Sequence, residues 1–211
     1  MRTLTIAATT LGAVAALALP ASADSYRSLV KENPVAKDVW TSSGDNVRHK
    51  PSGMECATDQ GTATLTFLKT LQGDEGRDVV KTGCRYDLPS GASWNIEISP
   101  ATNERTDDTL LQFGTAARAE VGGLVGVAPG PIVTPAPAKS GYVVPYALGI
   151  FSETSRKRSS IWFGEVGGWR IVATARLYDD SIRKEVEQQA ADGWALAAAG
   201  VANTGKPPKT D

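Results

Sequence analysis

Residues 167–194 read GGWRIVATARLYDDSIRKEVEQQAADGW, and the fold is decided here. Trp169, Ile171, Ala173, Ala175 and Leu177 alternate with Arg170, Val172, Thr174 and Arg176. A period of two with β-branched and aromatic members marks a strand with two chemically distinct faces. Gly167-Gly168 before it suits a tight hairpin turn. Asp179-Asp180-Ser181 after it supplies acceptors for the orphan N–H groups of a helix start. The period then becomes helical: Ile182, Val186, Gln189, Ala190, Gly193 and Trp194 share one face, while Arg183, Lys184, Glu185 and Glu187 are expected to face outward. Beyond it, Ala195 to Ala199 continues the helix or forms a short strand.

Working outward, the same grammar recurs upstream. Ala63, Leu65 and Phe67 alternate with threonines, a second strand fits residues 78–86, and Trp94, Ile96 and Ile98 alternate with Asn95, Glu97 and Ser99. Tight polar turns at 71–76 and at Pro89-Ser90-Gly91 make these three an antiparallel meander. Thr106-Asp107-Asp108 then opens a helix over about 107–120, carried by Leu110, Phe113, Ala117 and Val121 and stopped by Gly122-Gly123. Strand-like sequence returns at Tyr142–Phe151 and at Ile161–Phe163. The expected class is α+β: an antiparallel sheet of about six short strands with two helices on one face. Trp94 ahead of Asp107-Asp108, and Trp169 ahead of Asp179-Asp180, hint at two strand-strand-strand-helix halves.

The N-terminus has a different logic. Residues 1–23 (MRTLTIAATTLGAVAALALPASA) carry Arg2, an apolar run from Leu11 to Leu19, and Ala21-Ser22-Ala23 after Pro20. This is the pattern of a signal peptide cleaved before Asp24, and its style is bacterial. The expected location is periplasmic or secreted, with no transmembrane anchor after cleavage. Residues 24–201 then form a single globular domain, and 202–211 a flexible tail. Gly122–Gly141 holds Pro129, Pro131, Pro135 and Pro137, which exclude a helix interior or a central strand and predict a long loop.

An oxidising destination changes the reading of Cys56 and Cys84, the only two cysteines among 211 residues. A disulfide between them is expected, tying the entry of the meander to its second strand. Their separation is wrong for a Cys-x-x-Cys redox pair. The formal net charge of -1 excludes a broad basic nucleic-acid surface, so no nucleic acid is expected as partner. One histidine excludes a multi-histidine metal site. No cofactor motif is present.

Few residues stand out as chemistry. His49 is the one imidazole available as a general base near pH 7, and Ser52 follows it by three residues; they are the weak catalytic candidates. Arg48 and Lys50 flank them, in a segment read as a solvated loop. Arg156, Lys157 and Arg158, with Trp162 close by, form the densest positive patch in the chain. Together with Trp40 they are the binding candidates, and Trp40 and Trp162 are expected to be free to line a surface groove. Ser181-x-x-Lys184 and Lys81-Thr82-Gly83 match short motifs of penicillin-recognising serine enzymes, but in reversed order and without Ser-Asp-Asn, so Ser181 reads as a helix cap. The acidic pairs Asp74-Glu75, Asp107-Asp108 and Asp179-Asp180 fall in a turn and two caps.

With no assembled catalytic set, the expected function is a non-enzymatic binding or accessory protein of the bacterial cell envelope. Its partner would be an envelope protein or an anionic envelope component. The alternative is a small exported hydrolase using His49 or an acidic pair.

Overall fold

A computed structural model describes residues 21–32, 36–72, 79–101, 106–121, 127–130, 146–152, 157–204, 206 and 208. The leader candidate up to residue 20 lies outside them. So do Asp74-Glu75, Arg156 and most of the 122–141 segment. Among the described residues no helix is long and apolar enough to cross a membrane.

The hairpin read from the sequence is central. β10 (Arg158–Val166) and β11 (Trp169–Leu177) pair antiparallel from Val166↔Trp169 to Arg158↔Leu177. Gly167 and Gly168 connect them with φ of 57° and 81°. Two successive positive φ angles match the right-handed twist of the flanking strands and strain any residue with a Cβ. β9 (Tyr146–Ser152) and the edge strand β8 (Val127–Gly130) extend the sheet on one side. β8 corrects the long loop expected over 122–141: it contains Pro129, and an edge is where a strand tolerates a residue without a backbone N–H.

On the other side lies the meander of β5 (Ala63–Gln72), β6 (Val79–Asp87) and β7 (Ser93–Pro100), finished by the short β4 (Asp59–Gln60). The result is one eight-stranded antiparallel sheet, with β7 against β11 at its centre. A second sheet of three strands, β1 (Trp40–Ser43), β2 (Asn46–His49) and β3 (Glu55–Ala57), sits beside the first. The short helices α1 (Ala21–Glu32) and α2 (Ala36–Val39) pack against its first strand. The sheet content thus exceeds the six strands expected.

α3 (Thr106–Val121) closely matches its expected span, and α4 (Arg183–Thr204) continues through the Ala-rich segment. Their placement corrects the expectation of two helices on one face. α4 covers the face bearing Trp94, Ile96, Trp162, Ile171 and Ala173. α3 lies on the opposite face, where Phe113 meets Phe163 at a ring distance of 6.2 Å over Ile150, Ile161 and Val172. In chain order β5–β7 lead into α3 and β9–β11 lead towards α4, with the edge strand β8 added ahead of the second set. A two-fold axis through the β7–β11 pair would leave both helices on one face, so the halves are not related that way.

α4 is buried on almost every side because it is wedged between the two sheets. A Cβ on Gly193 would come within 2.8 Å of the Trp94 indole, and one on Gly200 within 2.5 Å of the Gly53 carbonyl. Small residues set this close approach, which explains why the helix is rich in alanine. Trp94 in turn stacks on Tyr86 with ring centres 3.8 Å apart. The Cys56–Cys84 disulfide forms and ties β3 of the small sheet to β6 of the large one. At its far end the chain stays in contact with the body: the Trp169 indole N–H donates to the Lys206 carbonyl at 2.7 Å.

Candidate functional site

His49 and Ser52 come together, but inside the protein. His49 ends β2 and is 1% exposed, and Ser52 is fully buried in the turn that follows. The solvated loop expected here is absent. Met54 N donates to Ser52 Oγ at 3.2 Å, and Ser52 Oγ lies 2.7 Å from His49 Nδ1. Ser52 N also points at Nδ1, at 3.4 Å. Two donors converging on Nδ1 make it the acceptor and put the ring proton on Nε2. Nε2 has no hydrogen-bond partner among the described residues; the ring is packed between Trp40 at 5.2 Å and Trp169 at 6.4 Å. Burial drives the imidazole pKa down to about 4. The Ser52 hydroxyl is hydrogen-bonded to a base, yet neither group meets solvent. What the pair does chemically is lock the turn between β2 and β3.

The basic patch is also redistributed. Arg158 is 5% exposed and enters the core, where its Nε bonds Glu187 Oε1 at 2.7 Å. Ser160 Oγ donates to the same oxygen at 2.7 Å. Glu187, expected on the outer surface of α4, is fully buried for this reason. A carboxylate this deep has its charge balanced by the cation beside it. Lys157 remains half-buried, 5.9 Å over the Tyr178 ring. Trp40 and Trp162 have no exposed surface and line no groove. Of the acidic pairs, Asp108 is exposed at the start of α3, and Asp179 Oδ1 accepts from Ser181 N at 2.8 Å, as a cap should. That bond, with one from the Ser181 side chain, holds the Asp179 carboxyl below the usual carboxylate range.

The surface with the right shape for a ligand holds Lys81 and Gly83 of the Lys81-Thr82-Gly83 match, but no motif joins its members. It lies on the α3 face of the large sheet, on the half that α3 leaves open. The pairing registers lay it out in rows across the strands. One row runs Phe67, Arg85, Asn95, Thr174; the next runs Lys69, Gly83, Glu97, Val172. Gly83 has no side chain to fill its place, and an added Cβ would fall 2.2 Å from the Ile96 carbonyl. Lys69 therefore reaches over Gly83 to Glu97 at 2.8 Å, and Lys81 reaches the same carboxylate from β6. Burial raises the Glu97 pKa, but the hydrogen bonds from Lys69 and Lys81 outweigh it and hold the group ionised below its ordinary range.

The depression over Gly83 has a volume of about 260 Å³. Phe67, Lys69, Arg85, Asn95, Glu97 and Arg176 form much of its lining. Three of these are cations against one carboxylate. Phe67 is 40% exposed, one of only three large hydrophobic side chains among the described residues that face solvent. The sequence did contain a signal for this site: successive outward positions on adjacent strands carry Lys, Arg and Gly. It becomes visible only once strand order and register are known.

Among the described residues no three His, Cys, Asp or Glu side chains converge to hold a metal ion. No known protein family matches this chain, and no curated protein matches it in sequence.

Proposed function

We propose that this is an exported, non-enzymatic binding protein of the bacterial cell envelope, acting through the open half of its large sheet. The observation that carries the reading is the depression over Gly83, where Lys69, Arg85 and Arg176 share one small concave surface with an exposed phenylalanine. A cationic concavity with an apolar flank suits an anionic envelope component. The leader-like residues 1–23 support export. So does the Cys56–Cys84 bond, which belongs to an oxidising compartment. The binding surface moves accordingly from the Arg156–Arg158 segment to the sheet, because Arg158 is committed to Glu187.

The test is capture from an envelope extract by the oxidised protein spanning residues 24–211, with bound species read by native mass spectrometry. An anionic species retained by the native protein and lost in Arg85→Glu supports the reading. Equal retention by both proteins, or none by either, overturns it.

A further inference from the structure

The depression is chemically lopsided, and its asymmetry narrows the ligand. Arg85 and Arg176 stand on the strands either side of β7 in adjacent rows, Arg85 opposite Asn95 and Arg176 opposite Ser93, about 12 Å apart between backbones. Asn95 lies between those strands and faces the same way. Asp87 already orients Arg85, accepting from its Nε at 3.1 Å and its Nη2 at 3.0 Å. A guanidinium carries five N–H donors in a planar fork, so a braced arginine still has donors to offer. The single carboxylate of the depression, Glu97, is engaged by Lys69 and Lys81.

Arg85 beside the Asn95 amide, with Arg176 diagonally across β7, favours a ligand group with at least three acceptor oxygens. A carboxylate has two and is satisfied by one fork; a phosphate can accept from both. Next to Arg85, Phe67 sits directly across the strand pair and leaves an apolar surface in solvent. The volume of about 260 Å³ admits a head group with a short apolar portion and little more.

Resting on the binding reading above, we infer that the Gly83 depression takes a phosphate-bearing amphiphile. Its phosphate lies between Arg85 and Arg176 over Asn95, and its apolar part runs along Phe67. The same chemistry is offered by a phospholipid head group in a membrane and by a free alkyl phosphoester.

The test is calorimetric titration of the oxidised protein with hexyl phosphate, inorganic phosphate and hexanoate. Hexyl phosphate should bind at least tenfold more tightly than either of the others. Arg85→Gln should abolish measurable binding of hexyl phosphate. Phe67→Thr should remove the tenfold preference over inorganic phosphate while leaving phosphate binding intact. Both side chains are solvent-facing, and unchanged melting curves verify that the variants fold. Co-sedimentation with phosphatidylglycerol vesicles, lost in Arg85→Gln and absent with phosphatidylcholine, assigns the ligand to a membrane; titration without sedimentation assigns it to a free phosphoester. Hexyl phosphate binding no tighter than inorganic phosphate, or equally to both variants and the native protein, overturns the inference. If that happens while envelope capture still depends on Arg85, the phosphate amphiphile alone is rejected. Failure of both removes the site.

Discussion

The two faces of the large sheet are encoded in the same strands, one residue out of phase, and the part under α4 treats charge differently from the open half over Gly83. Toward α4, the strands present Trp94, Ile96, Trp162, Ile171 and Ala173, and the one arginine among them, Arg158, is neutralised by Glu187. Toward the other side, Lys69, Lys81, Arg85 and Arg176 stand beside Glu97 at the surface. Burial makes a cation a structural element with a fixed partner. Exposure lets a paired cation such as Arg85, braced by Asp87, keep N–H donors directed at solvent. What separates the two is coverage: among the described residues α4 packs across β7, β11 and β10, whereas α3 packs chiefly on β9 and β10.

This contrast can be broken most severely at the buried pair. Arg158→Ala removes the cation beside the buried Glu187 carboxylate and should lower stability by about 4 kcal/mol. The combined Arg158→Met/Glu187→Leu protein should recover most of that loss. Urea denaturation measures both, and a small loss in the single variant would mean the pair is solvated. Next comes the link between the two sheets. Removing the Cys56–Cys84 bond frees a loop with a sequence separation of 28 and should cost about 3.6 kcal/mol in the chain-entropy treatment. Denaturation with and without reductant reads it directly.

His49 sharpens the comparison through pH. Its folded pKa of about 4 lies below the ordinary 6.5, so between these values the unfolded chain binds a proton that the folded one refuses. Stability from this group is fully present above pH 6.5 and is lost as pH falls toward 4, by about 3 kcal/mol in all. His49→Asn should flatten that part of the stability profile; an unchanged slope would show that the imidazole is hydrated. The smallest effect belongs to the open face. Arg85→Gln should change stability by less than about 0.5 kcal/mol, as exposed substitutions do. If it melts like Arg158→Ala, the two faces are not distinct in the way described.

Local pattern made much of this legible. Alternation at Trp169–Leu177 and Ser93–Pro100 correctly marks strands, because period two places alternate side chains on opposite faces. Asp179 and the residues after it correctly mark a helix start, because orphan N–H groups need nearby acceptors. The failures share one cause. His49 looked solvated because its neighbours in sequence, Arg48 and Lys50, are polar; its neighbours in space are Trp40 and Trp169. Glu187 looked exposed because it stands among charged residues, and nothing local announces a partner 29 residues earlier. The site over Gly83 has no contiguous signature in the sequence because its members come from four strands.

The sequence by itself determined the six longer strands β5–β7 and β9–β11, the two main helices and the cysteine partnership, since each follows from local periodicity, caps or elimination. Only the tertiary structure decided which face each helix covers, which cations are buried, and where an open concave surface is left. Those outcomes depend on strand order and on the distance of closest approach between elements. Both are set by contacts between residues far apart in the chain.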